Sequence, residues 1–129
     1  MKQFTFILFF VAITFNVLAQ TTTETKNHLV TPSGHGWLYE KSCINKWRVT
    51  FENKTQQTIT SITFELIITN KESEDIVYQE THTVDYTLKA GERAASPYFD
   101  LSEPLCVDYG RLTKFSDYYS RRTQVTDFK

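Results

Sequence analysis

Apolar and polar residues alternate in two stretches of this chain, residues 47–51 and 62–68, where Ile67 is the one exception. Because successive side chains of a β-strand point to opposite faces of the sheet, this period predicts two half-buried strands. The polar residues 53–57 between them predict a short, hairpin-like connection. We expect the apolar faces of both strands to form a hydrophobic core. The central core residues predicted in this way are Trp47, Phe51, Phe64 and Leu66.

The later part of the chain also favours strands. Residues 76–88 are rich in strand-forming side chains, and a bend or bulge is expected near Thr81, because Glu80 and His82 would otherwise share the phase of the buried residues. No stretch shows a helical period, so the pattern predicts an all-β, antiparallel β-sandwich, with a small closed barrel as the alternative. Further strands are predicted over residues 98–101, 112–119 and 123–128.

The first two predicted strands and their turns resemble the FxLYD-type immunoglobulin-like domains of secreted bacterial proteins. In that pattern a strand ending in Asn is followed by a polar turn, an alternating strand and a leucine shortly before Gly-Glu. The matching residues here are 47–55, then Ile59, Ile62, Phe64, Leu66 and Ile68, then Val84, Leu88, Gly91 and Glu92. The resemblance covers about residues 45–95. It implies an immunoglobulin-like sandwich and a surface-associated or export-associated module without catalytic residues.

The N-terminal segment differs in composition from the rest of the chain. A basic start precedes an almost wholly apolar run, residues 4–15, and the residues up to Ala19 supply a cleavage site. This layout predicts a signal peptide over residues 1–19, a flexible polar leader over residues 20–35 and a β-sandwich domain over residues 36–129. A membrane anchor is the alternative, but a spanning helix needs about 20 apolar residues. We therefore expect a secreted or periplasmic protein with no membrane span after cleavage.

The chain has two cysteines, Cys43 and Cys106. In an oxidising compartment such a pair usually forms a disulfide. A bridge across the 62 intervening residues would stabilise the domain by about 4 kcal/mol in the chain-entropy model. The alternative, a redox-active or nucleophilic cysteine, is disfavoured because the two lie far apart and form no Cys-x-x-Cys motif. We therefore predict a Cys43–Cys106 disulfide.

The distribution of charge excludes one class of partner. Without the signal, the chain holds 13 Lys and Arg residues against 15 Asp and Glu residues, a net charge of −2. Non-specific nucleic-acid binding is driven by a basic surface, so we expect no nucleic-acid partner. Residues 65–108 carry ten acidic and three basic side chains, whereas residues 109–129 carry five basic and two acidic ones. The simplest interpretation is that the basic C-terminal segment packs on or near the acidic body.

The sequence does not indicate a metal or catalytic site. The three histidines, His28, His35 and His82, form no closely spaced pair of the kind that structural zinc sites use. Ser33 and His35 lie in a glycine-flanked stretch that is not a nucleophile elbow and is predicted to be a flexible loop. We expect no catalytic residue, no metal and no cofactor.

Two further patterns have ordinary explanations. Glu72, Glu74 and Asp75 lie in one predicted turn, where they are candidates for the paired carboxylates of a glycosidase or for calcium ligands. A solvated turn is the default interpretation of these acids. Residues 53–55, Asn-Lys-Thr, fit the N-glycosylation pattern, but an Asn also commonly ends a strand and enters a turn.

The C-terminal segment is the strongest candidate for a binding surface, because Tyr and Arg combine large contact area with a polar tip and dominate interface hot spots. The candidates are Tyr109, Arg111, Tyr118, Tyr119, Arg121 and Arg122. The alternative is that Tyr118 or Tyr119 packs in the core while the arginines solvate the last strand. We predict a non-enzymatic module that binds a protein or a cell-surface polymer. An inhibitor or immunity-type protein that blocks an exported enzyme is the first alternative, and a small hydrolase is less favoured.

Overall fold

The computed structural model describes residues 25–129, so the predicted signal peptide lies outside the described residues. Strands make up most of this part of the chain, and two short helices precede the last strand. The strands are β1 (Val30–Glu40), β2 (Cys43–Asn53), β3 (Ile59–Asn70), β4 (Ile76–Leu88), β5 (Arg93–Ala95), β6 (Phe99–Cys106) and β7 (Tyr119–Phe128). The helices are α1 (Tyr109–Leu112) and α2 (Phe115–Tyr118). Neither helix, nor any other within residues 25–129, has the length and apolarity needed to cross a bilayer.

The strands form two antiparallel sheets that pack face to face. In the first sheet β2 lies between β1 on one side and both β5 and β6 on the other. In the second sheet the order is β4-β3-β7. A disulfide joins Cys43 at the start of β2 to Cys106 at the end of β6. The predicted all-β, antiparallel sandwich with one disulfide is therefore confirmed.

The core lies between β2 and β3, and the predicted inward faces of these strands are confirmed. Trp47, Phe51, Phe64 and Leu66 are all fully buried. The rings of Phe51 and Phe64 approach to 5.3 Å between centroids across the two sheets. Burying a large aromatic side chain is worth roughly 1.5–3 kcal/mol, so rings that meet across the middle stabilise the sandwich efficiently.

The prediction of a hairpin-like connection between these strands is wrong, because β2 and β3 belong to different sheets. The turn between them is organised by Asn53, which is fully buried. Its Nδ2 donates to the carbonyl oxygens of Gln57 at 2.7 Å and Leu88 at 3.0 Å, and its Oδ1 accepts from the backbone N–H of Thr55 at 2.9 Å. This amide therefore has a structural role, and in the folded chain it is not accessible as a glycosylation site.

The prediction of a bend or bulge near Thr81 is also wrong. The pairing of β4 with β3 runs without a register shift from Tyr78 to Asp85, and the irregularities lie towards the two ends of the ladder. Glu80 and His82 do share the inward phase, but β4 is an edge strand, so both reach the rim of the sandwich. There the Glu80 carboxylate accepts hydrogen bonds from the hydroxyls of Tyr78 and Ser102.

Order begins earlier than predicted, because β1 starts at Val30 rather than near Gly36. Residues 30–35 of the predicted leader therefore pair with β2, and the stretch around Ser33 and His35 is strand rather than flexible loop. This strand was not predicted because its apolar and polar residues do not alternate clearly. It lies at a sheet edge, where most of its residues are half-buried or exposed. It also contains Pro32, which is tolerated at a sheet edge and lies next to a register shift.

The strand predicted over residues 112–119 is replaced by α1 and α2. The backbone N–H groups of Arg111 and Leu112 both donate to the carbonyl of Asp108, which closes the first turn. Leu112 and Phe115 are buried, and their spacing of three residues is helical rather than strand-like. Two single turns are too short to show a helical period that a sequence window detects.

Candidate functional site

The structure places the predicted binding residues on α1, on α2 and in the first part of β7. Arg111 belongs to α1 and Tyr118 to α2, while Arg121 and Arg122 lie near the start of β7. Tyr109 is the first residue of α1. The two helices pack on each other and α2 packs on β7, which brings together residues that were predicted to lie along a strand.

Tyr119 does not belong to a binding surface. Only 6 % of its surface is exposed, and its ring stacks on Phe115 with centroids 4.8 Å apart. Tyr119 is therefore a core residue, which agrees with the alternative interpretation that Tyr118 or Tyr119 packs in the core. Tyr118 is half-buried, and the guanidinium of Arg111 lies 5.1 Å from the centre of its ring.

Arg121 and Arg122 point to opposite faces of β7, as consecutive strand residues do. The guanidinium of Arg121 lies 5.2 Å from the centre of the Trp37 ring, and its Nη1 donates to the Ser116 hydroxyl at 2.8 Å. Arg122 is exposed. Arg121 therefore closes the corner between β1, α2 and β7, whereas Arg122 extends from the outer face of the second sheet.

A cavity of about 510 Å³ opens between the end of β1 and the two helices. We call it the aromatic groove, and its lining residues are Trp37, Tyr39, Leu112, Thr113, Lys114, Phe115, Ser116 and Asp117. Trp37 packs on Trp47 and Phe115 at centroid distances of 5.0 Å each. Tyr39 is 50 % exposed, and Leu38, which precedes it in β1, is 45 % exposed. Exposed large apolar residues beside a cavity are typical of interaction sites.

Sequence reasoning missed the contribution of β1 to this surface. Trp37 and Tyr39 lie 72 and 70 residues before the first residue of α1. The available signal was local: a Trp-Leu-Tyr run in a stretch that otherwise lacks apolar residues. Nothing in the sequence links that run to the C-terminal segment, because only the packing of β1 beside β7 brings them together.

Most basic residues of the C-terminal segment have no acidic partner. The ion pairs among residues 25–129 are Lys26–Asp127, Lys46–Asp100 and Arg111–Glu72, and the last is a long contact of 3.9 Å. Lys114, Arg121 and Arg122 therefore take part in no ion pair within the described part of the chain. The basic segment packs on the preceding region, as expected, through the pairing of β7 with β3, and within the described residues the one ion pair between the two regions is Arg111–Glu72.

His35 lies between the sheets on the side where β1 faces β7. The indole N–H of Trp47 donates to His35 Nδ1 at 3.0 Å, and His35 Nε2 lies 3.5 Å from the Thr123 hydroxyl. Because an indole nitrogen only donates, Nδ1 must be unprotonated and we assign the proton to Nε2. Burial, with a smaller contribution from the nearby Arg121 cation, lowers the pKa of His35 to about 4.

His82 occupies the opposite side, where β4 faces β6. Its Nε2 lies 2.8 Å from the Tyr78 hydroxyl, and its ring packs on Phe99 with centroids 4.5 Å apart. Burial lowers the pKa of His82, and the Glu80 carboxylate opposes that shift. Burial also raises the pKa of the Tyr78 hydroxyl to about 12, so this group stays protonated and donates to Glu80 at ordinary pH.

The groups considered for catalysis or metal binding are dispersed. Over residues 25–129, no three His, Cys, Asp or Glu side chains lie together in a way that would hold a metal ion. Glu72, Glu74 and Asp75 are exposed in the turn between β3 and β4. Both cysteines are in the disulfide, and His35 is engaged by Trp47 rather than by Ser33.

Comparison with known proteins returned no relatives. No protein-family model matches the chain, and neither a curated protein sequence nor a solved structure matches it.

Proposed function

We propose that this chain is a secreted or periplasmic, non-enzymatic binding module built on an immunoglobulin-like sandwich. The observation that carries the proposal is the aromatic groove, an open cavity lined in part by the exposed side chain of Tyr39. Tyr and other rigid aromatic side chains bind partners at a small entropic cost, because few rotatable bonds have to be ordered.

The surroundings of the groove are well suited to a preorganised surface. Trp37 is held by Trp47 and Phe115, and Arg121 is fixed by Ser116. The strand that carries Tyr39 continues into the turn before Cys43, whose disulfide to Cys106 ties the end of the hairpin to β6. A surface that is rigid before binding loses less conformational entropy on association. The export signal predicted over residues 1–19 supports the assignment to an extracytoplasmic compartment.

An inhibitor of an exported enzyme is the second candidate, and one observation favours it. The β1–β2 turn at Lys41 and Ser42 is flanked by exposed Leu38 and Tyr39 and clamped by the disulfide. A clamped, exposed hairpin is a suitable shape for insertion into an enzyme cleft. The two candidates differ in what the partner does: an inhibitor abolishes the activity of a captured enzyme, whereas a binding module leaves its partner's activity unchanged.

The proposal is tested by cross-linking the oxidised chain to the secreted fraction of its own source and identifying what it captures. Tyr39→Ala should weaken binding of the captured partner by about tenfold or more, as expected for an aromatic hot spot. Tyr98→Ala is the matched control, because Tyr98 is another partly exposed tyrosine that does not line the groove. Absence of any captured partner, or equal binding by both variants, would contradict the proposal.

A further inference from the structure

We infer that the aromatic groove and the adjoining edge of β1 bind an extended, acidic segment of a protein partner by strand addition. The inference rests on the binding function proposed above and specifies the chemistry of the partner. Three features carry it: an unpaired strand edge, an apolar cavity beside that edge, and cations around the cavity that no acid of the described chain neutralises.

The edge is provided by β1, the terminal strand of the first sheet. Within the part of the chain that the structure describes, β1 pairs with β2 alone, and no other backbone hydrogen bond reaches residues 31–40. An edge of this kind is a template on which an extended peptide adds as a further strand. Pro32, which has no backbone N–H, and the register shift beside it interrupt the first half of the edge. The segment around residues 36–40 is therefore the usable part, although it contains one further shift between Leu38 and Tyr39.

The groove lies directly beside this usable segment, since Trp37 and Tyr39 line it from β1 and residues 112–117 line it from the helices. A peptide on the edge would place alternate side chains towards the groove. Leu112 and Phe115 are buried residues that line the groove and give it an apolar floor. One aromatic or aliphatic side chain of the partner is the appropriate occupant.

The arrangement around Trp37 favours a protein over a polysaccharide. Sugar rings bind proteins largely by stacking on an open aromatic face. The Trp37 ring is stacked on Trp47 at 5.0 Å and has the Arg121 guanidinium over it at 5.2 Å, so these contacts occupy it, and Tyr39 is the one exposed aromatic side chain of the lining. Hydrogen bonds to a strand edge require a peptide backbone, which a polysaccharide lacks.

The charge around the groove selects an acidic segment. Lys114 lines the groove, and two more cations converge on Ser116: Lys71 Nζ donates to its carbonyl at 2.7 Å and Arg121 Nη1 donates to its hydroxyl at 2.8 Å. Asp117 is the one acidic residue of the lining, and neither Lys114 nor Arg121 is in an ion pair within residues 25–129. Carboxylates on the partner would complement these cations and speed association.

The test uses a random peptide library displayed on phage, selected on the oxidised protein and counter-selected on Lys114→Glu. Selected peptides should be enriched in Asp and Glu around an aromatic or aliphatic residue. A synthetic consensus peptide should bind Lys114→Glu at least about tenfold more weakly than wild type, since the change introduces charge repulsion. Lys54→Glu is the control with the same charge change, because Lys54 is exposed and follows the opposite end of β2; it should bind within about twofold of wild type.

N-methylation of the consensus peptide tests strand addition without altering the protein. Methylating the alternate backbone amides that face β1 should abolish binding, whereas methylating the other set should leave it intact. The inference would be overturned if both methylated sets lost binding equally or if the two Lys→Glu variants bound equally. It would also be overturned if no peptide were selected or if the consensus contained no acidic residues. Binding of a polyuronate, but not of acidic peptides, would overturn it in favour of a polymer. The binding function itself fails separately, when the cross-linking experiment captures no partner.

Discussion

The two sides of the sandwich each place a histidine between the sheets, but the neighbours of the two histidines differ in charge. On the β1/β7 side, His35 accepts the indole N–H of Trp47 and lies near the Arg121 cation. On the β4/β6 side, His82 lies against Tyr78 and near the Glu80 carboxylate. The same residue type in the same architectural position is therefore exposed to opposite electrostatic fields.

This difference decides what acid does to each side. Protonation of His35 at Nδ1 breaks the bond from Trp47 and puts a second cation beside Arg121. The Tyr78 hydroxyl donates its proton to Glu80, so His82 Nε2 acts as the donor to Tyr78 and already carries a proton. Protonation of His82 at Nδ1 breaks no such bond and places a cation near the Glu80 carboxylate. The β1/β7 side, which also carries the aromatic groove, is consequently the acid-sensitive one.

The largest expected effect is on the core that both sides share. Phe64 is fully buried and meets Phe51, Phe99 and His82 at ring distances of 5.3 to 6.1 Å. Phe64→Ala should lower the free energy of unfolding by about 3–5 kcal/mol, because it removes apolar contact and leaves a cavity. Urea unfolding measures this. Stability near that of wild type would show that Phe64 does not fill the space between the sheets.

Acid should produce the next largest effect. The folded-state pKa of His35 is about 4, below its ordinary 6.5. The unfolded chain therefore binds this proton first as the pH falls, and stability that is present above about pH 6.5 is lost as the pH falls towards 4. The full loss from this group is about 3 kcal/mol.

Urea titrations at about pH 7 and about pH 4, followed by tryptophan fluorescence, check this expectation. Both tryptophans of the chain, Trp37 and Trp47, lie on the His35 side, so the signal reports that side directly. His35→Gln should remove much of the pH dependence of the free energy of unfolding, while His82→Gln should remove less of it. If the His82 variant had the larger influence, the contrast between the two sides would be wrong.

The smallest expected effect separates the two neighbouring arginines. Arg121→Ala should lower the free energy of unfolding by about 1 kcal/mol, because it removes a cation–π contact with Trp37 and a hydrogen bond to Ser116. Arg122→Ala should stay within about 0.5 kcal/mol of wild type, as exposed substitutions usually do. Thermal unfolding of the two variants gives the comparison. Equal costs would mean that Arg121 does not close the β1/β7 side.

Much of the fold was predictable from the sequence, because the relevant patterns are local. The alternation in β2 and β3 identified the inward residues Trp47 and Phe64 correctly, and the pairing of Cys43 with Cys106 followed from their number and the inferred compartment. The assignment of β2 and β3 to different sheets was not predictable in this way, because alternation defines a face but not a pairing partner.

The candidate site was predictable only in part, for a similar reason. Tyr and Arg composition marked the C-terminal segment, but burial of Tyr119 and the divergence of Arg121 from Arg122 depend on the exact start of β7. Trp37 and Tyr39 enter the site through a contact between distant parts of the chain. The single turns α1 and α2 are stabilised by the burial of Leu112 and Phe115 rather than by helix propensity, so no sequence window reveals them.

The most direct measurement of the proposed site is a chemical-shift titration of the isotopically labelled chain with the acidic consensus peptide. The largest shifts should fall on the amides of residues 36–40 and 112–117 and on the Trp37 indole, with little change around Tyr78, Glu80 and His82. Shifts concentrated on β4 and β6, or an unchanged spectrum at saturating peptide, would contradict the assignment of binding to the β1/β7 side.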